Sequence, residues 1–479
     1  MASDNPPSTV SPSSAHERTA IRMIPFIVGC ALFMQMLDST VVATALPVMA
    51  RALGTTPVKM NVAITSYLLA LAVFVPVSGW AADRFGARRV FITAIVLFTV
   101  SSVACALAQN LTHLVMARTV QGMAGAMMVP VGRVILLRMT PKAELLRAMA
   151  FLSMPALLGP IVGPPLGGFL VTYTSWHWIF LINIPVGVLG IALVLRYISP
   201  DIPQSSLRLD WLGFILSGVS LACLVSGFES IGHNDVSRTQ VFVLLGVGLG
   251  CGLLYIWHAR HHEHPIVDLS LLKVRSFAIA TLGGNLCRLT VGAAPFLLAM
   301  MLQVGFGMSP FAAGLITFSS AAGALLMKLV ATPVINRYGF KRVLVVNAVL
   351  AGALVMVCGL FSAQTSVWVM MGVLVLGGIS RSLQFTAVNT LTYADLGSAE
   401  MSRASSFSAM AQQLAISLGV GGAALVLNLS MSWRGAEHLE PVDTFWGFMI
   451  LGVMACFSAF SFMRLPANVA QHLRSRAKA

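Results

Sequence analysis

The octapeptide DRFGARRV, Asp83 to Val90, is followed 253 positions later by NRYGFKRV, Asn336 to Val343. The two segments share Arg, Gly, a basic pair and Val in register, and each lies between two long apolar stretches. The same shift brings Arg22, at the start of the first apolar stretch, into register with Arg275. The chain is therefore predicted to contain two equivalent halves built from apolar helices.

Composition places these helices in a membrane. The chain has 479 residues, of which 57% are hydrophobic and 10% are charged, and its mean hydropathy is +0.86. Soluble domains carry about 25% charged residues, so the sequence predicts an all-α polytopic membrane protein. The seven cysteines are scattered singly, which favours small buried residues over disulfides or metal ligands.

Hydrophobic stretches long enough to cross the bilayer define the predicted spans, since a crossing helix needs roughly 20 apolar residues. The sequence predicts fourteen of them: 22–50, 59–82, 87–109, 111–138, 142–172, 175–197, 207–230, 239–259, 275–303, 310–333, 341–362, 366–394, 401–430 and 443–465. An even number of spans puts both termini on one side of the membrane.

The distribution of basic residues orients these spans. Most of the 30 Lys and Arg residues lie in segments on the side of the N-terminus, and four lie in segments on the other side: Arg51, Lys59, Arg238 and Arg434. Short cytoplasmic loops are enriched in Lys and Arg, so we expect both termini in the cytoplasm. Because the basic residues are spread over many loops, the net charge of +14 does not predict a nucleic-acid partner.

The repeat divides the fourteen spans into six, two and six. We expect a disordered cytoplasmic tail at 1–20 without the apolar core of a signal peptide, and a basic cytoplasmic tail at 466–479. Between them, the predicted domains are an N-terminal six-helix bundle at 21–200, a two-helix insertion with its linkers at 201–270, and a C-terminal six-helix bundle at 271–465. Two parallel halves of this kind are typical of a transporter whose substrate path runs between them.

Four motifs in the first half carry a resemblance to a known family. They are GWAADRFGARR at 79–89, LDSTVVATALP at 37–47, RTVQGMAGA at 118–126 and GPPLGG at 163–168. The segment WHWIFLINIPVG at 176–187 adds to them. Together they resemble the major facilitator superfamily, and within it the fourteen-span drug:proton antiporter branch of the EmrB/QacA type. The resemblance implies a major facilitator fold, with two six-helix bundles and two inserted helices.

The resemblance also implies roles for two sets of residues. A conformational gate would be formed by Gly79, Asp83, Arg84, Gly86, Arg88 and Arg89. The antiporter motif would comprise Gly159, Pro160, Gly163, Pro164, Gly167 and Gly168. Asp83 would act as a latch at a helix N-terminus of the other bundle, although a tight basic turn required by orientation alone also explains this loop. The Gly- and Pro-rich span five would be a bendable joint at the interface between the bundles, where small residues permit close helix packing.

Two charged residues lie deep within the predicted first half. Helical rise puts Asp38 roughly 24 Å from the cytoplasmic boundary at Arg22 and Arg118 about 30 Å from the boundary at Arg138. A long Arg side chain can bridge this difference. Burial favours the protonated form of a carboxylate and a nearby Arg favours the ionised form, so Asp38 is a candidate proton carrier that Arg118 modulates. A static ion pair that packs helix one is the alternative.

The second half carries deep cations and no evident deep carboxylate. Arg288 and Arg381 lie roughly 20 Å from the nearest boundary by helical rise, and Lys328 lies nearer the inner third. The predicted substrate-path residues are Gln35, Gln121, Arg288, Lys328, Arg381, Gln384 and Asn389. Hydrogen bonds between helices are the alternative role for each of them, and for the amides the better one. A shortage of acids disfavours lipophilic cations and leaves neutral or anionic substrates open.

The remaining motifs bear on function class. The cluster HARHHEHP at 258–265 contains metal-ligand residue types, but it is interpreted as a solvated linker, so no metal is expected. No Gly-rich phosphate loop follows a strand, and no polar cluster typical of an enzyme stands at one interface.

We expect a monomeric, proton-coupled efflux antiporter for small amphiphilic or drug-like molecules. It would work by alternating access, with no cofactor and the proton gradient as its energy source. An exporter of small organic anions or of metabolites such as carboxylates or sugars is the alternative.

Overall fold

The computed structural model describes residues 15–55, 60, 62–141, 144–200, 208–230, 236–263, 265–308, 310–397, 400–435, 440–466 and 469–470. Within these ranges the regular structure is helical. The helices of the first half are α1 Ala15–Ala52, α2 Val62–Phe74, α3 Val77–Phe85, α4 Ala87–Ala106, α5 Leu111–Met139, α6 Leu145–Tyr173, α7 Trp178–Leu181 and α8 Asn183–Tyr197. The inserted helices are α9 Trp211–Ser230 and α10 Arg238–His261.

The second half begins after a short 3-10 turn at Leu269–Lys273. Its helices are α11 Arg275–Ala299, α12 Pro310–Tyr338, α13 Phe340–Gly359, α14 Val367–Ala394, α15 Met401–Arg434 and α16 Pro441–Met463. A π-helical turn at Met300–Gly305 extends α11, which also contains Pro295.

The helices occupy all fourteen predicted span positions. In the described ranges, 12 helices are long and apolar enough to cross a membrane, and a bent pair adds a thirteenth. The remaining position, span five, is taken by the 29-residue α6. The prediction of an all-α polytopic membrane protein with two six-helix bundles and two inserted helices is confirmed.

Span two, predicted at 59–82, is bent in the structure. It breaks into α2 and α3, whose axes differ by 59°. Pro76 lies at the break, just before α3. Proline lacks the backbone N–H that an uninterrupted helix needs and clashes with the preceding turn, so the bend follows from this residue.

The predicted N-terminal tail also needs correction. Helix α1 begins at Ala15, so residues 15–20 are helical rather than disordered. Ala15, Glu17, Arg18 and Ala20 are good helix formers that extend the apolar span beyond the predicted boundary. Residues 1–14 lie outside the described residues, and so do residues 471–479, which make up most of the predicted C-terminal tail.

The repeated octapeptides adopt the same turn. Gly86 between α3 and α4 has φ 88°, and Gly339 between α12 and α13 has φ 82°. Both angles lie in the region that side chains with a Cβ rarely adopt, which explains why glycine stands at this place in each repeat.

Equivalent helices pack in equivalent pairs. In the first half α1 contacts α6, α2 contacts α5 and α4 contacts α8; in the second half α11 contacts α15, α12 contacts α14 and α13 contacts α16. The inserted α9 packs against α10, against α2 of the first half and against α15 of the second. The two halves meet through α6 with α12 and α14, and through α15 with α3 and α5.

Candidate functional site

A buried ion pair lies within the first half. Asp38 of α1 and Arg118 of α5 are 1% and 0% exposed, and Arg118 Nη1 donates a hydrogen bond of 2.5 Å to Asp38 Oδ2. The structure thus joins the two deep charges that the sequence singled out. Each ion offsets much of the desolvation cost of the other, which neither could bear alone at this depth.

Neutral polar groups complete the surroundings of the carboxylate. Asp38 Oδ1 accepts hydrogen bonds from Gln121 Nε2 at 3.0 Å and from Asn183 Nδ2 at 3.1 Å. Both amides also donate to Ser102 Oγ, at 2.8 and 3.1 Å. Side chains from α5 and α8 therefore converge on the carboxylate of α1, and Ser102 of α4 connects the two amides.

The guanidinium of Arg118 has its own partners. Its Nη1 also donates to Gln121 Oε1 at 2.6 Å, and its Nε donates to the carbonyl oxygen of Ala63 at 3.3 Å. Its Cζ lies 4.4 Å from the ring centroid of Tyr67, within the range of a cation–π interaction. Arg118 therefore has buried partners besides Asp38.

Three members of this site were missed by sequence reasoning: Ser102, Asn183 and Tyr67. Asn183 offered a signal, because it is an amide within the apolar run WIFLINIPVG, but its helix lies far along the chain from Asp38. Gln121 was predicted to line the substrate path. The structure instead encloses it in the ion-pair network with 0% exposure.

The gate residues lie where the two halves meet. Ser402, in the first turn of α15, donates a short hydrogen bond to Asp83 Oδ2, and Arg138 pairs with Asp83 Oδ1 at 2.6 Å. Asp83 thus lies at the N-terminus of a helix of the other half, where the helix dipole favours an anion. Gly79 is also close to α15, since a Cβ there would come within 2.8 Å of the Ser402 carbonyl oxygen.

Further contacts close the same end of the molecule. Ser78 Oγ lies 2.8 Å from Ser406 Oγ, and Ser405 Oγ donates to the carbonyl oxygen of Pro130 at 3.0 Å. Arg133 donates to the Tyr393 hydroxyl at 3.2 Å. The halves are therefore in direct contact at the end that carries the repeated turns.

Other gate candidates lie away from this contact. Arg88 donates to the carbonyl oxygen of Leu195 at 2.9 Å, within its own half. Arg89 is exposed, Arg84 is half-buried and Gly86 forms the turn. The structure thus groups Gly79 and Asp83 at the junction with α15, while Arg88 bonds within the first half.

The glycines of the antiporter motif pack against α1. A Cβ on Gly159 would lie 2.7 Å from Met36 Cβ, and one on Gly163 would lie 2.0 Å from Thr40 Oγ1. Span five was expected to be a bendable joint at the interface between the bundles. The described glycines instead bring two helices of the same half together, although α6 as a whole also contacts α12 and α14. Gly167 is buried, and the side-chain environments of Pro160, Pro164 and Gly168 lie outside what the structure describes.

A cavity of about 220 Å³ lies inside the second half. Its walls come from α11, α12, α13, α14 and α16, and they are mostly apolar. Arg288, Arg381 and Gln384 provide much of the polar lining, and no carboxylate occurs among the described lining residues. The structure therefore brings three of the predicted substrate-path residues to one cavity.

The cations beside this cavity have neutral partners. Arg288 donates to Asn389 Oδ1 at 2.7 Å and to Asn285 Oδ1 at 3.3 Å, and Arg381 donates to Ser320 Oγ at 3.3 Å. Lys328 donates to Thr386 Oγ1 at 2.7 Å and does not line the cavity. Hydrogen bonds orient these side chains, and within the part of the chain that the structure describes these bonds go to neutral groups.

The last candidate, Gln35, lies in the first half. It is 5% exposed, and a Cβ on Gly125 would come within 3.6 Å of its amide and 3.2 Å of the Tyr67 hydroxyl. Gln35 and Arg288 are separated by the same 253 positions as the repeated octapeptides. The first helix of each half thus has a long polar side chain at this position.

Solved structures support the fold. The human organic anion transporter MFSD10 (TETRAN) superposes with a TM-score of 0.65 and 15% sequence identity, over 92% of this chain and 99% of that one. The proton:xylose symporter XylE superposes with a TM-score of 0.64 and 14% identity, over 95% of this chain and 98% of that one. At these identities, the likeness concerns the fold alone.

Sequence comparisons identify the family. The family model of the Major Facilitator Superfamily matches residues 28–257 and 280–478. The chain is similar to the "Putative multidrug resistance protein MdtD" of Cronobacter sakazakii, with 38% identity over 94% of this chain and 96% of the relative. The protein of the same name from Klebsiella pneumoniae strain 342 is 40% identical over the same shares. This chain belongs to the Major Facilitator Superfamily, and it is a multi-pass membrane transporter rather than an enzyme.

Proposed function

We propose that this transporter is a proton-coupled antiporter that exports small amphiphilic or drug-like molecules by alternating access. The similarity to relatives named for multidrug resistance supports the substrate class. The ion pair of Asp38 and Arg118, whose two side chains are both buried, supports the coupling. It supplies a deep carboxylate whose charge can be cancelled by one proton.

The chemistry of coupling needs only this pair and its neighbours. A proton that reaches Asp38 Oδ2 forms an O–H bond and removes the attraction to Arg118. The guanidinium stays charged and retains Gln121, the Ala63 carbonyl oxygen and the Tyr67 ring as partners. Loss of the ion pair loosens α1 from α5. Release of the proton on the other side restores the pair, so each cycle carries one proton inward.

The gate contact gives this step a structural link to the other half. Helix α5 carries Arg118, Pro130, Arg133 and Arg138, and the last three contact α14, α15 or Asp83. A shift of α5 relative to α1 therefore acts directly on the contacts that close this end. In the proposed cycle, protonation of Asp38 and opening of the halves are coupled through helix α5.

Reconstitution in liposomes with an imposed pH gradient tests the proposal. Asp38→Asn removes the titratable group while keeping a similar shape. We expect it to abolish uptake driven by the gradient and to retain exchange of labelled substrate at equal pH. Asp395→Asn is the matched control, because this carboxylate is exposed at the end of α14. Gradient-driven transport by Asp38→Asn at the wild-type rate would refute the coupling role.

The cavity in the second half favours a second candidate, export of small organic anions. Two guanidiniums line it, and its described lining residues include no carboxylate. Among the described residues, Arg288 Nε is buried and has no hydrogen-bond acceptor. Transport of anionic, neutral and cationic probes of similar size by the same liposomes separates the two candidates. If Arg288→Ala affects all three probes alike, the anion candidate fails.

The proposed setting is the bacterial inner membrane, with both termini in the cytoplasm and the protein acting as a monomer without a cofactor. The positive-inside bias supports this orientation. Fusion of each terminus to a reporter enzyme that is active only in the periplasm tests this orientation. Activity of either fusion would contradict it.

A further inference from the structure

Three potential metal ligands meet where the inserted helices approach the linkers. Asp210 precedes α9, and His258 and His262 lie at the C-terminal end of α10. One ligand atom from each side chain lies within 4.8 Å of the other two. Sequence reasoning placed the two histidines in a solvated linker and left Asp210 out, because it lies 48 positions before His258.

The two histidines have the spacing that a helix uses to chelate a metal. His258 and His262 are four positions apart, so they lie on one face of α10. The helix extends to this point, since the His262 N–H donates to the His258 carbonyl oxygen at 3.0 Å. Their ring centroids are 5.0 Å apart. Paired histidines with this spacing are an established zinc-binding arrangement in helices.

Asp210 supplies a buried carboxylate to the same place. Its Oδ1 accepts from the Gly213 N–H at 2.8 Å and lies 2.9 Å from His258 Nε2. The residue is 6% exposed, and its Oδ2 has no hydrogen-bond partner among the described residues. A Cβ at position 213 would lie 2.0 Å from this oxygen, so glycine makes room for it. A buried carboxylate oxygen without a partner is costly, and a cation would remove that cost.

The three residues differ in solvent exposure. Asp210 is buried, His258 is partly buried and His262 is exposed. An ion can therefore reach the imidazoles from solvent and meet the carboxylate behind them. Zinc sites with three protein ligands leave the fourth position to water, and the exposed His262 lies on the solvent side of this cluster.

We propose that Asp210, His258 and His262 bind one divalent transition-metal ion of the zinc class. Two imidazole nitrogens and one carboxylate oxygen are a ligand set typical of Zn²⁺, and Co²⁺ and Ni²⁺ accept the same set. The ion joins the start of α9 to the end of α10. It stabilises the inserted helical pair where Tyr255 and Val267 already connect α10 to the following linker through two hydrogen bonds of 2.8 Å.

A simple ion pair between His258 and Asp210 is the competing explanation. It needs the proton on His258 and makes no use of His262. The metal site needs both histidines. His262 is therefore the residue that separates the two explanations, and transport activity is not needed to tell them apart.

Metal binding by the full-length, tag-free transporter in detergent tests the proposal. Titration with Co²⁺ is followed by its visible absorption, and Zn²⁺ is then added as a competitor. We expect one Co²⁺ per chain, displaced by Zn²⁺, and a rise in melting temperature with Zn²⁺. His262→Ala and Asp210→Asn weaken binding by more than about tenfold, since even loss of an outer-shell partner costs that much.

His261→Ala is the matched control. This residue is adjacent to His262, but its Nδ1 lies 2.8 Å from the Trp257 carbonyl oxygen and it is not part of the cluster. It should bind Co²⁺ like the wild type. The melting temperature of metal-free His262→Ala checks that the variant is folded. Absence of saturable binding by the wild type, or equal binding by folded His262→Ala, overturns the proposal.

Discussion

The two halves share a helix arrangement but differ in how their buried charges are paired. In the first half, Asp38 and Arg118 neutralise each other within a closed network. In the second, Arg288 and Arg381 line a cavity, and their hydrogen bonds within the described residues go to neutral amides and a hydroxyl. A compensated pair suits a group that exchanges one proton, whereas an uncompensated cation beside a cavity suits recognition of a ligand. The same helix arrangement therefore holds two different electrostatic environments, because the polar residues inside each half differ.

The largest effect is expected when the compensated pair loses its cation. Arg118→Met leaves the Asp38 carboxylate buried without its partner, which costs about 3–5 kcal/mol of stability. Unfolding of the purified protein by a denaturing detergent measures this loss. The double variant Asp38→Asn with Arg118→Met should recover most of it, since no charge then remains. A single variant as stable as the wild type would contradict the view that the pair is compensated.

The next effect concerns the packing that shields the first-half site. Gly163→Ala places a Cβ 2.0 Å from Thr40 Oγ1, so α1 and α6 must separate. Overpacking of this kind costs about 1–3 kcal/mol, measured in the same unfolding experiment. Adding Thr40→Ala should relieve part of the clash, because Cβ of residue 40 would still lie 2.8 Å from the new Cβ.

The matched control for that substitution is Gly372→Ala in α14. A Cβ there meets nothing within 4 Å, and alanine is the better helix former. Stability should stay the same or rise by about 0.5–1 kcal/mol. Equal losses at Gly163 and Gly372 would show that helix propensity, rather than the approach of α1, determines the effect.

A smaller effect is expected at the contact between the halves. Asp83→Asn keeps an oxygen for Ser402 and removes the ion pair with Arg138, so the closed end should open more often. Disulfide cross-linking between Ser78→Cys and Ser406→Cys, with the native cysteines replaced, reports this opening. We expect a lower cross-linking yield, and an unchanged yield with the exposed control Arg89→Gln. Equal yields in all three proteins would rule out the latch.

The smallest effect on stability is expected in the second half. Arg288→Met removes a buried cation whose partners are neutral, so no opposite charge is stranded. Unfolding should change by less than about 1 kcal/mol, because the desolvation cost of the cation disappears together with its hydrogen bonds. A loss as large as that of Arg118→Met would mean that a hidden anion compensates Arg288, and the contrast between the halves would fail.

Much of the fold could be predicted because membrane helices are long, apolar and separated by charged turns. The turn at Gly86 and its copy at Gly339 were visible as repeated octapeptides, and both have the same left-handed backbone. The break at Pro76 and the helical start at Ala15 were missed, since a hydropathy window averages over such local features. The pairing of Asp38 with Arg118 followed from their similar depth, whereas Asn183 and Ser102 could not be linked to them without the helix packing.

The sequence by itself determined the membrane class, the two-half plan and the few deep charges, because hydropathy, loop charge and repeats are local properties of the chain. Only the tertiary structure decided which side chains meet. It placed Asp83 against the start of α15, Gly163 against Thr40, and Asp210 beside two histidines on another helix. Contacts of this kind depend on how helices rotate and pack, and sequence separation carries no information about that.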